Sequence, residues 1–409
     1  MELYKVINIL WGLAGIIVVL GIAFALSSNR RSINWRPVLV GLALQLTFAF
    51  LVLKTSPGKW ALEKLTFGVN NIITYANEGI EFVLGGFMYQ DDRIVFAINV
   101  LCIIIFFSAL ISVLYHLKIM QVIIKFLGGG LSRLLGTRKA ESMSAAANIF
   151  VGQTEAPLVV KPYIAKMTNS ELFAVMTGGL ASVAGSVLIG YSQLGVPLEY
   201  LLAASFMAAP AGLVMAKLFV PETDDRPDPK DLEMEADAEA ANVVDAAAKG
   251  ASTGLQLVLN VGAMLIAFIA LIALLNGILG GIGGLFGYEN LTIELVLGYV
   301  FAPLAFAIGI PWSEAIQAGN FIGQKLVLNE FVAYANFAPM IDQFSEKTVA
   351  VITFALCGFA NVSSLAILLG GLGNLAPERR PDIARLGVRA VIAGALASLL
   401  SASIAGMFF

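Results

Sequence analysis

Long apolar runs constrain the fold of this chain more than any other feature of its sequence. About 20 mainly apolar residues suffice for one helix to cross a bilayer. Runs of this kind cover residues 6–26, 37–53, 94–115, 172–194, 200–216, 254–280, 349–374 and 390–409. Only 13% of the 409 residues are charged, whereas 58% are hydrophobic, and so few charges cannot cover a water-exposed surface of this size. The sequence therefore excludes a soluble enzyme and predicts an all-α polytopic protein with eight transmembrane helices in a lipid bilayer.

The positive charges predict which ends of these spans meet the cytoplasm. Arginine and lysine residues follow spans 1, 3, 5 and 7, as at Arg30, Arg138, Lys217 and Arg379. Because loops rich in these residues stay in the cytoplasm, both chain termini are predicted to lie on the opposite, periplasmic side. Between spans 2 and 3, apolar residues recur at roughly helical spacing over residues 59–86, which predicts a helix lying in the membrane interface.

An acidic segment divides the chain into two related halves. Residues 221–249 are rich in Pro, Asp, Glu and Ala, too polar to enter the bilayer, and are predicted to form a cytoplasmic linker. Each half carries the motif Gly-x-Ala-[Ser/Asn]-Val in mid-span, at residues 179–183 and 358–362. Because an odd number of crossings separates the halves, they have opposite orientations. This is the inverted-topology repeat found in many secondary transporters.

Two further segments have polar centres and arms too short to cross the membrane. They are residues 142–161, which contain Glu155, and residues 311–338, which contain Glu330. We predict that both are re-entrant helical hairpins with tips near the membrane centre. An ionised carboxylate at that depth costs roughly 2.5–3.5 kcal/mol even on lenient insertion scales. Two carboxylates at corresponding positions therefore indicate a water-accessible polar site.

Each of these interpretations has an alternative at this point. The first hairpin could be an ordinary cytoplasmic loop, and Lys325 leaves a structural salt bridge to Glu330 open. The two mid-span motifs predict helices that are broken near their middle, because glycine and small polar residues form helices poorly and a broken backbone is permitted where it lines a polar cavity. They could instead serve tight helix packing through small residues, although the amide of Asn361 needs hydrogen-bond partners. If hairpins and broken helices converge, their carboxylates, amides and hydroxyls suit a neutral, hydroxyl-rich solute.

Three stretches of the sequence carry a family resemblance. They are AAANIFVGQTEAP at residues 145–157, NEFVAY at 329–334 and CGFANVSS at 357–364. They closely resemble the concentrative nucleoside transporters, particularly the bacterial members, and the resemblance covers essentially the whole chain. It implies an elevator-type secondary transporter that imports nucleosides such as uridine, cytidine and adenosine by symport with Na⁺. It further implies a homotrimer in the bacterial inner membrane, with no organic cofactor and no nucleic-acid partner.

The resemblance also implies which residues bind the transported species. The nucleobase and ribose would meet Gln153, Thr154, Glu155, Val187, Leu257, Glu330, Phe359, Asn361 and Ser364. The coupling Na⁺ would meet Asn148, Val151, Ser182 and Val183, mainly through backbone carbonyls.

The same resemblance divides the chain into a scaffold and a moving transport domain. Scaffold helices 1 to 3 with the interfacial helix occupy residues 1–118, and scaffold helix 6 occupies 251–290. The transport domain comprises residues 119–220, with hairpin 1 and helices 4 and 5, and residues 291–409, with hairpin 2 and helices 7 and 8. Residues 221–250 form the linker.

Three alternatives to a Na⁺ symporter stay open from the sequence. One is a nucleoside symporter coupled to protons. The second is a channel for small polar solutes, since broken helices can also line a pore. The third is a membrane-embedded enzyme using Glu155 and Glu330 as an acid/base pair, although the sequence holds no His-Glu-x-x-His or P-loop motif.

Overall fold

The helices begin and end where short polar segments interrupt the apolar runs. The computed structural model describes residues 2–85, 89–90, 93–95, 97–224, 240–287 and 291–409. Within these ranges the elements are helical except for two short antiparallel strands, β1 (Tyr89–Gln90) and β2 (Arg93–Ile94). The central part of the predicted linker, residues 225–239, lies outside the described residues.

The elements of the first half lead from the N-terminus to the linker. They are α1 (Glu2–Ala25), α2 (Trp35–Lys54), α3 (Ser56–Leu84), α4 (Cys102–His116), α5 (Ile119–Leu135), α6 (Lys139–Ala147), α7 (Lys161–Ile164), α8 (Asn169–Ala181), α9 (Gly185–Gln193) and α10 (Leu198–Phe219). Short 3-10 or π turns cover Arg30–Ser32, Ala97–Leu101 and Ala156–Val160.

The second half follows the linker. Its helices are α11 (Val243–Leu285), α12 (Ile293–Ala307), α13 (Trp312–Val327), α14 (Glu330–Phe337), α15 (Glu346–Leu356), α16 (Val362–Leu375) and α17 (Arg380–Gly406), with 3-10 turns at Ala338–Gln343 and Pro377–Arg379. The last residues assigned to the linker, 243–250, form the first turns of α11.

Polar side chains fix where several helices begin. Thr168 and Ser345 cap α8 and α15, and Asn329 and Asn361 cap α14 and α16, each by accepting a backbone N–H of the first turn. A side-chain oxygen at this position satisfies one of the free N–H groups at a helix start. The same kind of residue thus starts the corresponding helices α8 and α15 in the two halves.

The two halves repeat one order of elements in opposite directions. Each has a helix (α5 or α12), a hairpin (α6 to α7, or α13 and α14), a broken helix (α8 and α9, or α15 and α16) and a long span (α10 or α17). The guanidinium of Arg379, just after α16, donates to the carbonyl of Met167, just before α8, at 2.5 Å. The end of one broken helix therefore lies beside the start of the other, which confirms the inverted repeat.

Seven predicted spans coincide with described helical segments that are long and apolar enough to cross a bilayer. The eighth, 349–374, is interrupted, because α15 ends at Leu356 and α16 begins at Val362. The predicted interfacial helix is α3. The span at 172–194 is likewise interrupted, between Ala181 and Gly185. Both interruptions fall at the Gly-x-Ala-[Ser/Asn]-Val motifs, as the sequence predicted.

Glycines bring α11 close to α4. A Cβ on Gly254 would lie 2.8 Å from the Cα of Ile105, and one on Gly250 would lie 2.7 Å from the Cα of Ala109. Residues 250–254 match the pattern Gly-x-Ser-x-Gly, but they lie inside α11 and so form no strand-to-helix elbow for a nucleophile. Elsewhere α1 packs along α17 and α2 along α10.

Candidate functional site

Glu330 is the centre of a buried hydrogen-bond cluster. It is the first residue of α14, and only 5% of it is exposed. Its Oε1 accepts a hydrogen bond from the Tyr191 hydroxyl at 3.0 Å, and its Oε2 accepts one from Asn361 Nδ2 at 3.1 Å. Hairpin 2 and the second helix of each broken span therefore meet at one carboxylate.

The Asn361 side chain is oriented by its role as a helix cap. Its Oδ1 accepts from the backbone N–H of Ser364 at 2.9 Å and from the Ser363 hydroxyl at 2.7 Å. The amide nitrogen is thereby turned toward Glu330. The Ser364 hydroxyl in turn donates to the Phe359 carbonyl.

The two broken helices cross where they are interrupted. The backbone N–H of Phe359, between α15 and α16, donates to the carbonyl of Ser182, between α8 and α9, at 3.1 Å. The N–H of Gly185 donates to the carbonyl of Phe150 in hairpin 1 at 2.9 Å. Backbone groups freed by the interruptions are therefore paired with each other and with the hairpin, as a buried backbone requires.

The tip of hairpin 1 reaches this crossing through Gln153. Its Nε2 lies 3.5 Å from the Ser364 hydroxyl, while its Oε1 is buried and has no partner among the described residues. The Thr154 methyl group packs toward Gly371 of α16, because a Cβ there would lie 2.7 Å from it. Glu155 is half-buried and accepts the backbone N–H of Gly152 at 3.3 Å.

The two carboxylates do not hydrogen-bond to each other. Glu155 turns back onto its own hairpin, whereas Glu330 is bound by α9 and α16. The connection between the hairpins runs from Gln153 through Ser364 and Asn361 to Glu330.

The apolar residues named by the resemblance fall in three places. Val187 is buried in α9, Phe359 is half-buried beside the hairpin 1 tip, and Leu257 is half-buried on α11. Phe359 contacts both parts of the site, since its carbonyl accepts from the Ser364 hydroxyl and its Cε2 lies 4.0 Å from the Cβ position of Gly152 in hairpin 1.

The residues assigned to the cation surround the C-terminal end of α8. Val151, Ser182 and Val183 are buried there. Asn148 follows α6, and its Nδ2 donates to the Ser144 carbonyl at 3.0 Å, but its buried Oδ1 has no partner among the described residues. A helix C-terminus carries a partial negative charge, so an additional amide oxygen there fits a hard cation.

Two buried residues of this region escaped the sequence analysis or were left undecided by it. Tyr191 packs against Tyr334, with ring centroids 4.4 Å apart and ring planes tilted by 31°, and its hydroxyl donates to Glu330. The sequence could have indicated Tyr191 as a site residue, because a tyrosine inside an apolar span has a buried hydroxyl that needs a hydrogen-bond partner. Lys325 forms no salt bridge with Glu330 and donates instead to the Ala355 carbonyl at 2.7 Å.

Two cavities lie away from the Glu330 cluster. One of about 790 Å³ is bordered by the end of α2, the starts of α3, α10 and α15, and the last residues of the chain. The other, of about 480 Å³, lies between the start of α8 and the residues after α10. Neither is lined by Gln153, Glu330 or Asn361.

Three family models match the sequence. "Na+ dependent nucleoside transporter C-terminus" matches residues 200–406, "Na+ dependent nucleoside transporter N-terminus" matches 14–87, and "Nucleoside recognition" matches 97–197. Together they cover most of the chain.

Individual proteins are similar along their whole length. An uncharacterized transporter of Bacillus subtilis, YutK, is 61% identical, with 98% of this chain and 100% of that protein covered. The nucleoside permease NupC of Helicobacter pylori is 50% identical, with 98% and 97% covered. The solved structure of CNTnw in an inward-facing substrate-bound state superposes with a TM-score of 0.93 at 54% identity, covering 98% of both chains. A variant of CNTnw in an outward-facing state gives 0.95 at 53% identity, covering 98% and 99%.

Proposed function

This chain belongs to the Na⁺-dependent, or concentrative, nucleoside transporter family, and on that premise we propose that it imports nucleosides by symport with Na⁺. It is a multi-span membrane transporter for nucleosides and not an enzyme. Within this proposal it works as a homotrimer in the bacterial inner membrane, with both termini periplasmic. Its substrates are uridine, cytidine and adenosine, or a subset of them.

Two unpartnered amide oxygens on hairpin 1 are the main support for this proposal. Gln153 Oε1 and Asn148 Oδ1 are buried and accept no hydrogen bond from the described residues. Buried polar atoms are almost always paired, so an unpaired one needs a physical explanation. A nucleobase amino group or ring N–H would pair with Gln153, and Na⁺ would pair with Asn148.

The ribose is assigned to the Glu330 cluster. A carboxylate accepts hydrogen bonds from two neighbouring hydroxyls, and Tyr191 and Asn361 already hold Glu330 in one orientation. Ser364 lies between this carboxylate and Gln153, so base and sugar would be bound at opposite ends of one hydrogen-bonded chain. Thr154, Glu155, Val187, Leu257 and Phe359 complete the proposed binding residues.

Coupling follows from the position of the cation between α6 and α8. Na⁺ at Asn148 would order the tip that carries Gln153, which raises the affinity for nucleoside, and the nucleoside raises the affinity for Na⁺ by the same factor. Residues 119–220 and 291–409 would move as the transport domain against a scaffold of residues 1–118 and 251–290. CNTnw, with inward- and outward-facing states, supports such alternating access.

Uptake into proteoliposomes tests the coupling. We expect an inward Na⁺ gradient to concentrate radiolabelled uridine or adenosine, and an H⁺ gradient without Na⁺ to have no effect. Vesicles with equal Na⁺ on both sides are the control and should only equilibrate the substrate. Uptake driven by H⁺ alone would establish the proton-coupled alternative, and uptake insensitive to both gradients with no counterflow would indicate a channel.

Gln153→Ala is expected to change base preference more than it reduces transport. The variant loses one amide that pairs with the base, and a single hydrogen bond contributes about 1 kcal/mol, or roughly a fivefold change in affinity. Competition of unlabelled purine and pyrimidine nucleosides against labelled uridine measures the change. Gln45→Ala is the matched control, because Gln45 is also buried but bonds to Ser401 outside the site. Unaltered competition in Gln153→Ala would contradict the assignment.

A further inference from the structure

Lys325 is a buried cation that the proposed transport cycle does not use. It lies in the last turn of α13, the first arm of hairpin 2, and is 2% exposed. Its Nζ donates to the Ala355 carbonyl at 2.7 Å. Among the salt bridges of the described residues, none joins it to a carboxylate.

The partner of Lys325 is the C-terminal end of a broken helix. Ala355 is the next-to-last residue of α15, which ends at Leu356. The last carbonyls of a helix have no partner within it, and they give this end about half a negative charge. The positive charge of the Lys325 ammonium therefore offsets the partial negative charge at the C-terminal end of α15, inside the protein.

The first half presents the same arrangement with a different side chain. There, α8 ends at Ala181, and the first arm of hairpin 1 places Asn148 against Gly178 in the last turn of α8. The Asn148 Nδ2 lies 3.3 Å from the Cβ position of Gly178, and its buried Oδ1 has no partner among the described residues. Hairpin 1 thus offers an oxygen where hairpin 2 offers an ammonium group.

The inverted repeat makes these two positions equivalent, since α6 and α8 correspond to α13 and α15. We propose that the Lys325 ammonium is a tethered cation that occupies the second half's counterpart of the cation site. The inference rests on the proposed function for the identity of the first-half site. It predicts a coupling number of one, because the first half would take up one mobile cation while the second half carries its own.

A neutral side chain at position 325 should convert the second position into a site for a mobile cation. Lys325→Gln keeps a donor for the Ala355 carbonyl but removes the charge. We expect this variant to melt several degrees below wild type in choline chloride, and NaCl or NH₄Cl to reduce the difference as its concentration rises. Lys325→Arg, which keeps the charge, is the matched control and should show no such deficit.

Melting temperatures of the purified full-length proteins, titrated with each salt at constant ionic strength, provide the measurement. A Lys325→Gln variant with wild-type stability and wild-type salt dependence, or a deficit that no cation reduces, would overturn the inference. So would full recovery in the double variant Lys325→Gln with Glu330→Gln, because Lys325 would then serve only to balance Glu330.

Na⁺ titrations of uridine uptake separate this inference from the proposed function. We expect the Hill coefficient for Na⁺ to rise from about 1 in wild type to about 2 in Lys325→Gln. Wild-type uptake that ignores Na⁺ would refute Na⁺ symport, but the melting experiment with NH₄Cl would still decide the role of Lys325.

The reverse substitution keeps the test available if Lys325→Gln does not fold. Asn148→Lys should place a tethered cation in the first half, so its melting temperature should no longer rise with Na⁺. A rise as large as that of wild type would show that the two positions are not equivalent.

Discussion

Glu330→Gln is expected to lower nucleoside uptake by about 10- to 100-fold, because hydrogen bonds to a charged group contribute about 1.5–3 kcal/mol. Glutamine has the same shape, so the fold is retained. It replaces one acceptor oxygen by an NH₂ group, however, and places a donor opposite either Tyr191 or Asn361, which both donate to the carboxylate. The ribose hydroxyls lose a charged acceptor at the same time.

Initial rates of labelled uridine uptake measure this loss. Glu314→Gln is the matched control, because Glu314 lies on the same hairpin but accepts hydrogen bonds from Ser345 at the start of α15. It should transport at nearly the wild-type rate. Normal uptake by Glu330→Gln, with an unchanged KM, would remove Glu330 from the binding site.

Gly358→Ala is expected to destabilise the protein and to abolish most transport. A Cβ at this position would lie 2.6 Å from Ser398 Oγ, 3.0 Å from the Ala181 carbonyl and 3.1 Å from the Leu180 carbonyl. The backbone at the crossing of the broken helices must therefore shift. Overpacking of this kind costs about 1–3 kcal/mol, and the shift weakens the Phe359 to Ser182 hydrogen bond that joins the two halves.

Melting temperature and uptake should both be measured for this variant. Gly370→Ala is the control, since no heavy atom of the described residues outside its own stretch of α16 lies within 4 Å of its Cβ position. Alanine there should leave stability unchanged or slightly higher, because it is the better helix former. If Gly358→Ala were as stable and active as Gly370→Ala, the two broken helices would be able to cross at a larger distance from each other without loss of function.

Much of the fold was predictable because its signals are local. Apolar runs gave seven of the eight spans directly, and the polar interruptions at Glu155 and Glu330 gave both hairpins. The family resemblance is confirmed by the family models and by relatives similar over their full length. The seventh span in chain order, 349–374, consists of two helices, and its interruption at 357–361 falls at the second Gly-x-Ala-[Ser/Asn]-Val motif, which confirms the predicted broken helix.

The sequence by itself determined which segments enter the lipid, where the chain repeats and which family it belongs to, because hydropathy, helix caps and motifs depend on neighbouring residues. Only the tertiary structure decided the partners of the polar groups. In it, Glu330 accepts a hydrogen bond from Tyr191, 139 residues away, and Lys325 donates to a carbonyl at the end of α15 rather than to Glu330. Such pairings are fixed by how the helices pack, since each buried polar atom bonds to whatever group the packing brings within reach.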